Sequence, residues 1–442
     1  MASADNIDDH HSSGSFPADP MHQFEIARYF ELNIGGLDIS FTNSALFMVI
    51  SVILISFFSI FFVRKQALVP SRMQSLVELS YEFVSNMVRQ NVGQEGKKYF
   101  PFIFTIFMFV LFLNMLGMMP YSFTVTRLSS PKSVLPENDA LTGLVCGSRS
   151  PLYDPNRAEA CILVKAGDDI YIFDTGNGSL KNLIDWNIPW SNIKGIFYTH
   201  LHSDHISELN EFHLNTWIQG RRNEKLKIYG PEGVQMLTDG IELAYTKDYI
   251  FRNEHHGDFI APLDIAGFNT QTINLNSPVL IDDGNLKITA YSVTHDPVDP
   301  ALGFRIDYKG RSISISGDTA YDENLIKNSN NVDVLFHESM SIEFLNILNK
   351  VSKETGNIVG EIVTIDVQNY HTPVIEVAKA ANKANVGHLI FYHHAPAPRT
   401  NLMEKIMYRG VDEIIKNWTA SHDGTMAVLP VDSDEIIISL IK

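Results

Sequence analysis

Cysteine is almost missing from this chain. Two residues, Cys146 and Cys161, stand among 442, too few for a disulfide framework or a four-thiolate zinc site. They read as two small buried thiols, on strands close enough to be neighbours. Basic charge is also short: 34 Lys and Arg face 51 Asp and Glu, a formal charge of -17. No global basic field is available to draw in nucleic acid, so a phosphate-tracking role starts at a disadvantage. There is no internal repeat and no low-complexity tract. Beyond residue 121 no stretch holds the ~18 consecutive apolar residues of a membrane helix.

Long apolar runs occur only before that point. The first 40 residues are polar and acidic, with Arg28 against seven Asp and Glu. Two uncharged stretches follow at 41–63, "FTNSALFMVISVILISFFSIFFV", and 99–121, "YFPFIFTIFMFVLFLNMLGMMPY". A bilayer core of ~30 Å takes ~20 such residues as a helix, and all-round hydrophobicity argues against a soluble core helix. The first run starts too late and extends too far for a cleaved signal peptide. Residues 64–98 carry six Lys and Arg, and Met73, Leu76, Val77, Val84, Met87 and Val88 recur there at helical spacing. This predicts a surface helix on the membrane or against a partner. The basic loop is expected in the cytoplasm, leaving the N-terminus and everything after residue 121 outside.

Residues 21–126 resemble subunit a of the proteobacterial F-type ATP synthase membrane sector. The matching segments are "DISFTNSALFMVI", "ALVPSRMQSLVE", "NVGQEGKKYFPFIF" and "NMLGMMPYSFTVT". The resemblance stops after Thr126, inside the family's next segment. It implies a bacterial inner-membrane location and docking to that sector. The later helices of such subunits, with the arginine that serves proton transfer, have no counterpart here, so an anchor is expected and not a proton path. A non-catalytic fragment of the sector, or two genes joined naturally or artificially, are the rival readings.

A Pro- and Ser-containing linker, "RLSSPKSVLPENDALT" at 127–142, leads into a different kind of sequence. Short runs rich in Val, Ile, Phe and Tyr alternate with turn signals and helical patterns such as "PVIEVAKAANKANV", which predicts a mixed α/β domain over 143–442. One loop stands out: "THLHSDH" at 199–205 packs His200, His202, Asp204 and His205 behind the apolar run "GIFYT". His200 and His202, two apart, share a face in extended chain. Imidazole and carboxylate together suit zinc, and four such groups can serve two ions. The remaining ligands are expected at later strand ends: His295 in "SVTHD", Asp318 in "SISGDT", and His393 or His394 in "LIFYHH".

These motifs, in this order, resemble the metallo-β-lactamase fold, an αββα sandwich of two mixed sheets between helices. Here it is preceded by an all-α segment with two membrane spans. The resemblance implies two Zn2+ per chain: His200, His202 and His295 on one, Asp204, His205 and His393 on the other, and Asp318 bridging. His393 is preferred to His394 because it directly follows the apolar strand. The segments "GSRSPLYDPNRAEACILVKAGDDIYIFDTGNG", "IYGPEG", "FHESM" and "YHTPVIEVAKAANKANVGHLIFYHH" resemble the arylsulfatase-like and ribonuclease Z-like branch. That branch adds His371, supported by Glu338, to Asp204 as catalytic residues. Asp174 is expected to brace the metal loop, with a plain turn as the alternative, and Arg157 to form a buried ion pair in preference to a substrate contact. His255 and His256 read as a solvated loop and His422 as a turn residue.

The implied reaction is hydrolysis of a small-molecule ester, a phosphodiester or aryl sulfate, by a membrane-anchored enzyme with its hydrolase domain on the periplasmic side. A tRNA 3′-end-processing endonuclease of the same fold is the alternative. It would need an RNA-gripping arm and a basic face. The chain offers one small cluster, "GRRNEKLK" at 220–227, and no Gly/Pro-rich arm. A homodimer is expected by analogy with the branch.

Overall fold

The computed structural model describes residues 28–30, 33–34, 37–38, 41–63, 72–118 and 132–441. The chain divides into two units, residues 1–131 and 132–442. In the first, short antiparallel pairings (Arg28–Phe30 with Phe41–Thr42, Asn33–Ile34 with Leu37–Asp38) precede three helices. These are α1 (Asn43–Val63), α2 (Arg72–Val92) and α3 (Phe100–Met118).

The spacing read in 64–98 does form a helix: α2 buries Val84 and Val88 and sets Tyr81 against Phe100 of α3, ring centroids 4.6 Å apart. Gly93 ends it at φ 74, a backbone state that favours glycine. The two apolar stretches are helical over 43–63 and 100–118, shorter than the spans read at 41–63 and 99–121. Among the described residues no helix is long and apolar enough to cross a membrane. The two-span expectation is therefore not carried by the structure, whose described side chains cover only part of each helix.

The second unit is built on two sheets. Strands β1 (Ala140–Gly147), β2 (Cys161–Ala166), β3 (Asp169–Phe173), β4 (Ile193–Phe197), β5 (Leu226–Gly230) and β6 (Phe268–Thr272) join β14 (Thr425–Pro430) and β15 (Ile437–Leu440) in one sheet of order 6-5-4-3-2-1-14-15. The other runs in sequence order: β7 (Val279–Asp282), β8 (Leu286–His295), β9 (Val298–Tyr308), β10 (Arg311–Ile315), β11 (Val334–Met340), β12 (His388–Ala395) and β13 (Trp418–Ala420). Both are mixed: β3 to β6 pair in parallel in the first sheet and β10 to β13 in the second, with antiparallel pairing elsewhere.

Two-residue alternation explains the layering. In β2, Ile162 and Val164 face the core between the sheets, while Cys161 and Leu163 face outward under helices. Phe173, Phe197, Phe304 and Phe336 fill the space between the sheets. The approach there is close: a Cβ on Gly143 would sit 2.6 Å from the Phe336 ring. Helices cover the outer faces: α4 (Ser179–Asp185), α5 (Ser203–Ile206), α6 (Leu209–Leu214) and α7 (Val234–His256) follow strands of the first sheet. Those that follow strands of the second are α8 (Glu323–Asn328), α9 (Ile342–Thr355), α10 (Ile358–Asp366), α11 (Val374–Lys383) and α12 (Asn401–Met407). The unit is an αββα sandwich.

Two boundaries differ from the sequence reading. Strand β1 begins at Ala140 and Leu135 is buried in the outer core, so structured chain reaches back into the stretch read as a linker. Cys146 and Cys161, read as free thiols, are joined in a disulfide across the β1–β2 pair. Antiparallel neighbours bring their Cβ atoms into bonding range, which spacing in sequence does not reveal.

Candidate metal centre

Side chains for a site in a mixed sheet gather where parallel strands end, because loops there are free of the ladder. Strand β4 ends at Phe197 and releases the "THLHSDH" loop, β3 ends one residue before Asp174, and β10 ends three before Asp318. Strand β8 ends on His295, and β11 and β12 deliver Glu338 and His393. Six residues read from the sequence (His200, Asp204, His205, His295, Asp318 and His393) are buried at this edge, with His202 partly exposed.

Asp174 holds the loop. It sits at φ 62 and its carboxylate accepts from the Thr199 amide at 2.9 Å, the Thr199 hydroxyl at 2.9 Å and His205 Nδ1 at 2.9 Å. The last bond fixes the imidazole so that Nε2 presents its lone pair to the cluster. Gly176 lets the backbones touch, since a Cβ there would lie 2.3 Å from the Asp204 carbonyl oxygen. His295 donates through Nδ1 to the Tyr370 carbonyl at 2.9 Å, which orients it in the same way.

The choice between His393 and His394 is made by a bulge. Glu338 pairs with Tyr392 and Ser339 with His394, so His393 is the extra residue, and it adopts φ 44. Its Nε2 lies 3.2 Å from Asp204 Oδ2 and 3.4 Å from Asp318 Oδ2. His394 turns away, with Nδ1 2.9 Å from the Ser339 hydroxyl and Nε2 2.9 Å from the Ser421 carbonyl.

Donor atoms fall into four overlapping groups, each spanning no more than 4.8 Å: His200, His202, His295; His200, His205, Asp318; Asp204, His205, His393; and Asp318, His371, His393. Burial drives His200 well below its ordinary value and lowers His202 and His295. His205 is raised: burial opposes its charge, but Asp318, Asp204 and Asp174 outweigh burial. Burial likewise works against the Asp204 carboxylate, yet His205 and His393 hold it at about 2. His205 Nε2 and Asp318 Oδ1 are buried without a hydrogen-bond partner. Buried polar atoms without a hydrogen-bond partner are unfavourable, and a cation held among such groups would satisfy them. Imidazoles and carboxylates at this spacing fit zinc or a similar borderline divalent ion.

Glu338 is fully buried, and its Oε1 accepts from the Thr372 amide at 2.5 Å. Its Oε2 lies 3.4 Å from His371 Nδ1. Burial disfavours a charged His371, but Glu338 and then Asp318 take it up to about 9. A cavity of about 290 Å³ opens over these groups. His202, Asp204, Asp318 and His371 form its polar side. Leu152, Leu345, Val363 and Val367 form an apolar side that the sequence reading missed.

Other expectations shift. Arg157 makes no ion pair among the described residues; it donates to the Ser148 hydroxyl at 2.8 Å and to the Ser421 carbonyl at 2.7 Å, which His394 also bonds. The buried pair is Arg149 with Glu159, 3.0 Å apart. His255 and His256 close α7 and are exposed, and His422 bonds Glu404 at 3.3 Å. In the basic cluster, Arg222 is turned inward onto the Ile265 and Gly267 carbonyls. Lys227 pairs with Glu224 at 3.0 Å, and Arg221 lies over the Phe259 ring.

Two family models match the chain. The model described as "Beta-lactamase superfamily domain" matches residues 171–394, and "ATP synthase A chain" matches residues 45–135. Ribonuclease Z of Mycobacterium bovis is 30% identical over 253 residues, 57% of this chain and 85% of that protein. ATP synthase subunit a of Parvibaculum lavamentivorans is 54% identical over 115 residues, 26% of this chain and 44% of that protein. The chain thus spans less than half the length of the subunit a relatives it matches. Among solved structures, the metallo-beta-lactamase fold protein YhfI from Bacillus subtilis is similar at 17% identity and a TM-score of 0.47. The match covers 65% of this chain and 98% of that one.

Replacing the buried Asp174 by Ala removes three hydrogen bonds and leaves the Thr199 amide and His205 Nδ1 without their acceptor. A loss of about 3 kcal/mol is expected at ~1–3 kcal/mol per buried unsatisfied group. Urea unfolding of the variant measures it; a loss under about 0.5 kcal/mol would show that the loop does not depend on this carboxylate.

Proposed function

Because the chain belongs, through residues 171–394, to the beta-lactamase superfamily, we propose that its C-terminal unit is a dinuclear zinc hydrolase of phosphodiesters or aryl sulfates. The observation that carries this reading is the convergence of His200, His202, His205, His295, His393, Asp204 and Asp318 in overlapping groups of donors. We assign His200, His202 and His295 to one ion, Asp204, His205 and His393 to the other, and Asp318 to both. When bound, the ions supply Lewis acidity that acidifies water and polarises the ester.

The chain's own residues do the rest. Asp204, ionised at neutral pH, lies on the cavity wall, where it would help to hold and orient an ion. His371, backed by Glu338 at 3.4 Å, faces the same cavity and donates to charge developing on the substrate or its leaving oxygen. Asp174 and the Tyr370 carbonyl keep the ligand imidazoles aimed, and the apolar wall limits water around the ester.

Similarity to Ribonuclease Z supports a second reading, a tRNA 3′-end-processing endonuclease. Against it stand the charge of -17 and a basic cluster whose residues are already engaged within the chain. Small chromogenic phosphodiesters or aryl sulfates should be hydrolysed faster than precursor tRNA is cleaved. Correctly placed tRNA cleavage at physiological salt, faster than ester hydrolysis, would reverse the two readings.

We also infer that the N-terminal unit is membrane-associated. Its likeness to ATP synthase subunit a supports this, as do the exposed Val52, Ile53 and Phe57 on α1 and Phe102 and Ile106 on α3. The Cys146–Cys161 bond favours an oxidising compartment, and with it an external hydrolase unit. A membrane-impermeant thiol reagent should label a cysteine placed on the hydrolase surface of intact cells. Protection there, with labelling of residue 97, would invert the orientation.

The full chain should carry about two zinc ions, measured by elemental analysis; none, in protein never exposed to chelator, would contradict the assignment. His371→Ala should keep that metal and lower kcat by ~10²–10³, the loss typical of one oxyanion donor, with KM moving less. An unchanged kcat with a lowered melting temperature would make His371 a structural residue only.

A further inference from the structure

A second cavity of about 430 Å³ adjoins the catalytic one. Leu152 lines both. Helix α9 also serves both, turning Leu345 toward the catalytic cavity and Phe344, Ile347 and Leu348 toward the other. The chain leaving β12 does the same, with Ala395 in one and Pro396 and Ala397 in the next. Met403 of α12 closes the far side. Arg399 and Asp154 are the charged residues of this lining, and they are satisfied by the protein. Their side chains lie 3.4 Å apart, and Arg399 also donates to the Tyr153 carbonyl at 2.6 Å. Their opposite charges leave the lining with no net charge. A substrate with its anionic centre over His202, Asp204 and His371 therefore meets a hydrocarbon-lined chamber past Leu152.

We propose that the substrate is an amphiphilic ester, whose anionic group lies over the donor cluster and whose non-reacting hydrocarbon chain enters the 430 Å³ cavity. This rests on the hydrolase reading above and narrows it. The chamber is large enough for a ligand group, within the ~300–1,000 Å³ usual for such sites. Hydrocarbon burial also provides the affinity. The transfer value of ~0.8 kcal/mol per methylene corresponds to about fourfold per added carbon until the chamber is full. A phosphate backbone, charged along its whole length, gains nothing from methylene burial at this wall.

The test is calorimetric binding of methyl-, butyl- and octylphosphonate to the zinc-loaded full chain, alongside turnover of nitrophenyl phosphodiesters carrying the same alkyl groups. Binding should tighten about fourfold per methylene from methyl to butyl. Ile347→Lys and Leu348→Lys should each flatten the series. These residues are 54% and 39% exposed, so a lysine there can reach water without unfolding the helix. Equal affinity for all three phosphonates, or an unchanged length dependence in both variants, would overturn the proposal. Length-dependent binding with no turnover of any ester would refute the hydrolase reading and leave the hydrocarbon site standing. Turnover indifferent to alkyl length, with equal binding, would do the reverse.

Discussion

Three hydrogen bonds to the Asp174 carboxylate tie the end of β3 to the loop after β4. They fix His205 and the start of the histidine-rich loop. The loop carries His200, His202, Asp204 and His205 within six residues, polar groups whose burial is unfavourable unless each is oriented and partnered. A hydrogen-bond acceptor outside the cluster must set which nitrogen faces in. Asp174 does this for His205, and the Tyr370 carbonyl, in the turn before α11, does it for His295. His205 follows a strand of the first sheet and His295 ends a strand of the second, so the packing of Phe173, Phe197, Phe304 and Phe336 between the sheets also sets the distance across the cluster. The hydrophobic core and the polar edge are one mechanical system.

Much of this was legible in the sequence for a simple reason. Ligand-bearing residues follow strongly apolar strands, so each motif announces both an element and its end. "GIFYTH", "SISISGDT" and "LIFYHH" could be placed at strand termini from alternation and turn residues alone. What escaped reading depends on contacts between distant segments. The Cys146–Cys161 bond needs the β1–β2 register, and the role of Arg157 needs the fold to bring Ser421 beside it. The apolar side of the cavity is built by α9 and α10, whose sequences look like ordinary amphipathic helices. Nothing local shows which face of such a helix meets a site.

The N-terminal unit shows a different limit. Composition marked its apolar segments, and helices form there, but a helix of apolar residues has no intrinsic address. Its exposed Val, Ile and Phe side chains need a partner phase or a partner protein. The likeness to ATP synthase subunit a names the kind of surroundings such helices keep elsewhere. The second unit has its own core, its own disulfide and its own cluster of donors.

The bulge at His393 makes the site depend on parity. Along β12, Phe391 faces the outer helices and Tyr392 the space between the sheets. An unbroken strand would send residue 393 outward and 394 inward. The extra residue resets that count: His394 returns to the outer side beside Tyr408, 2.7 Å from its hydroxyl, and His393 is left unpaired at the rim. Two identical letters thus acquire opposite fates through one frame shift in three dimensions. Removing either histidine from the chain would leave the same sequence behind, "FYHA", one residue short. The surviving imidazole would then inherit whichever face the shortened ladder assigns it.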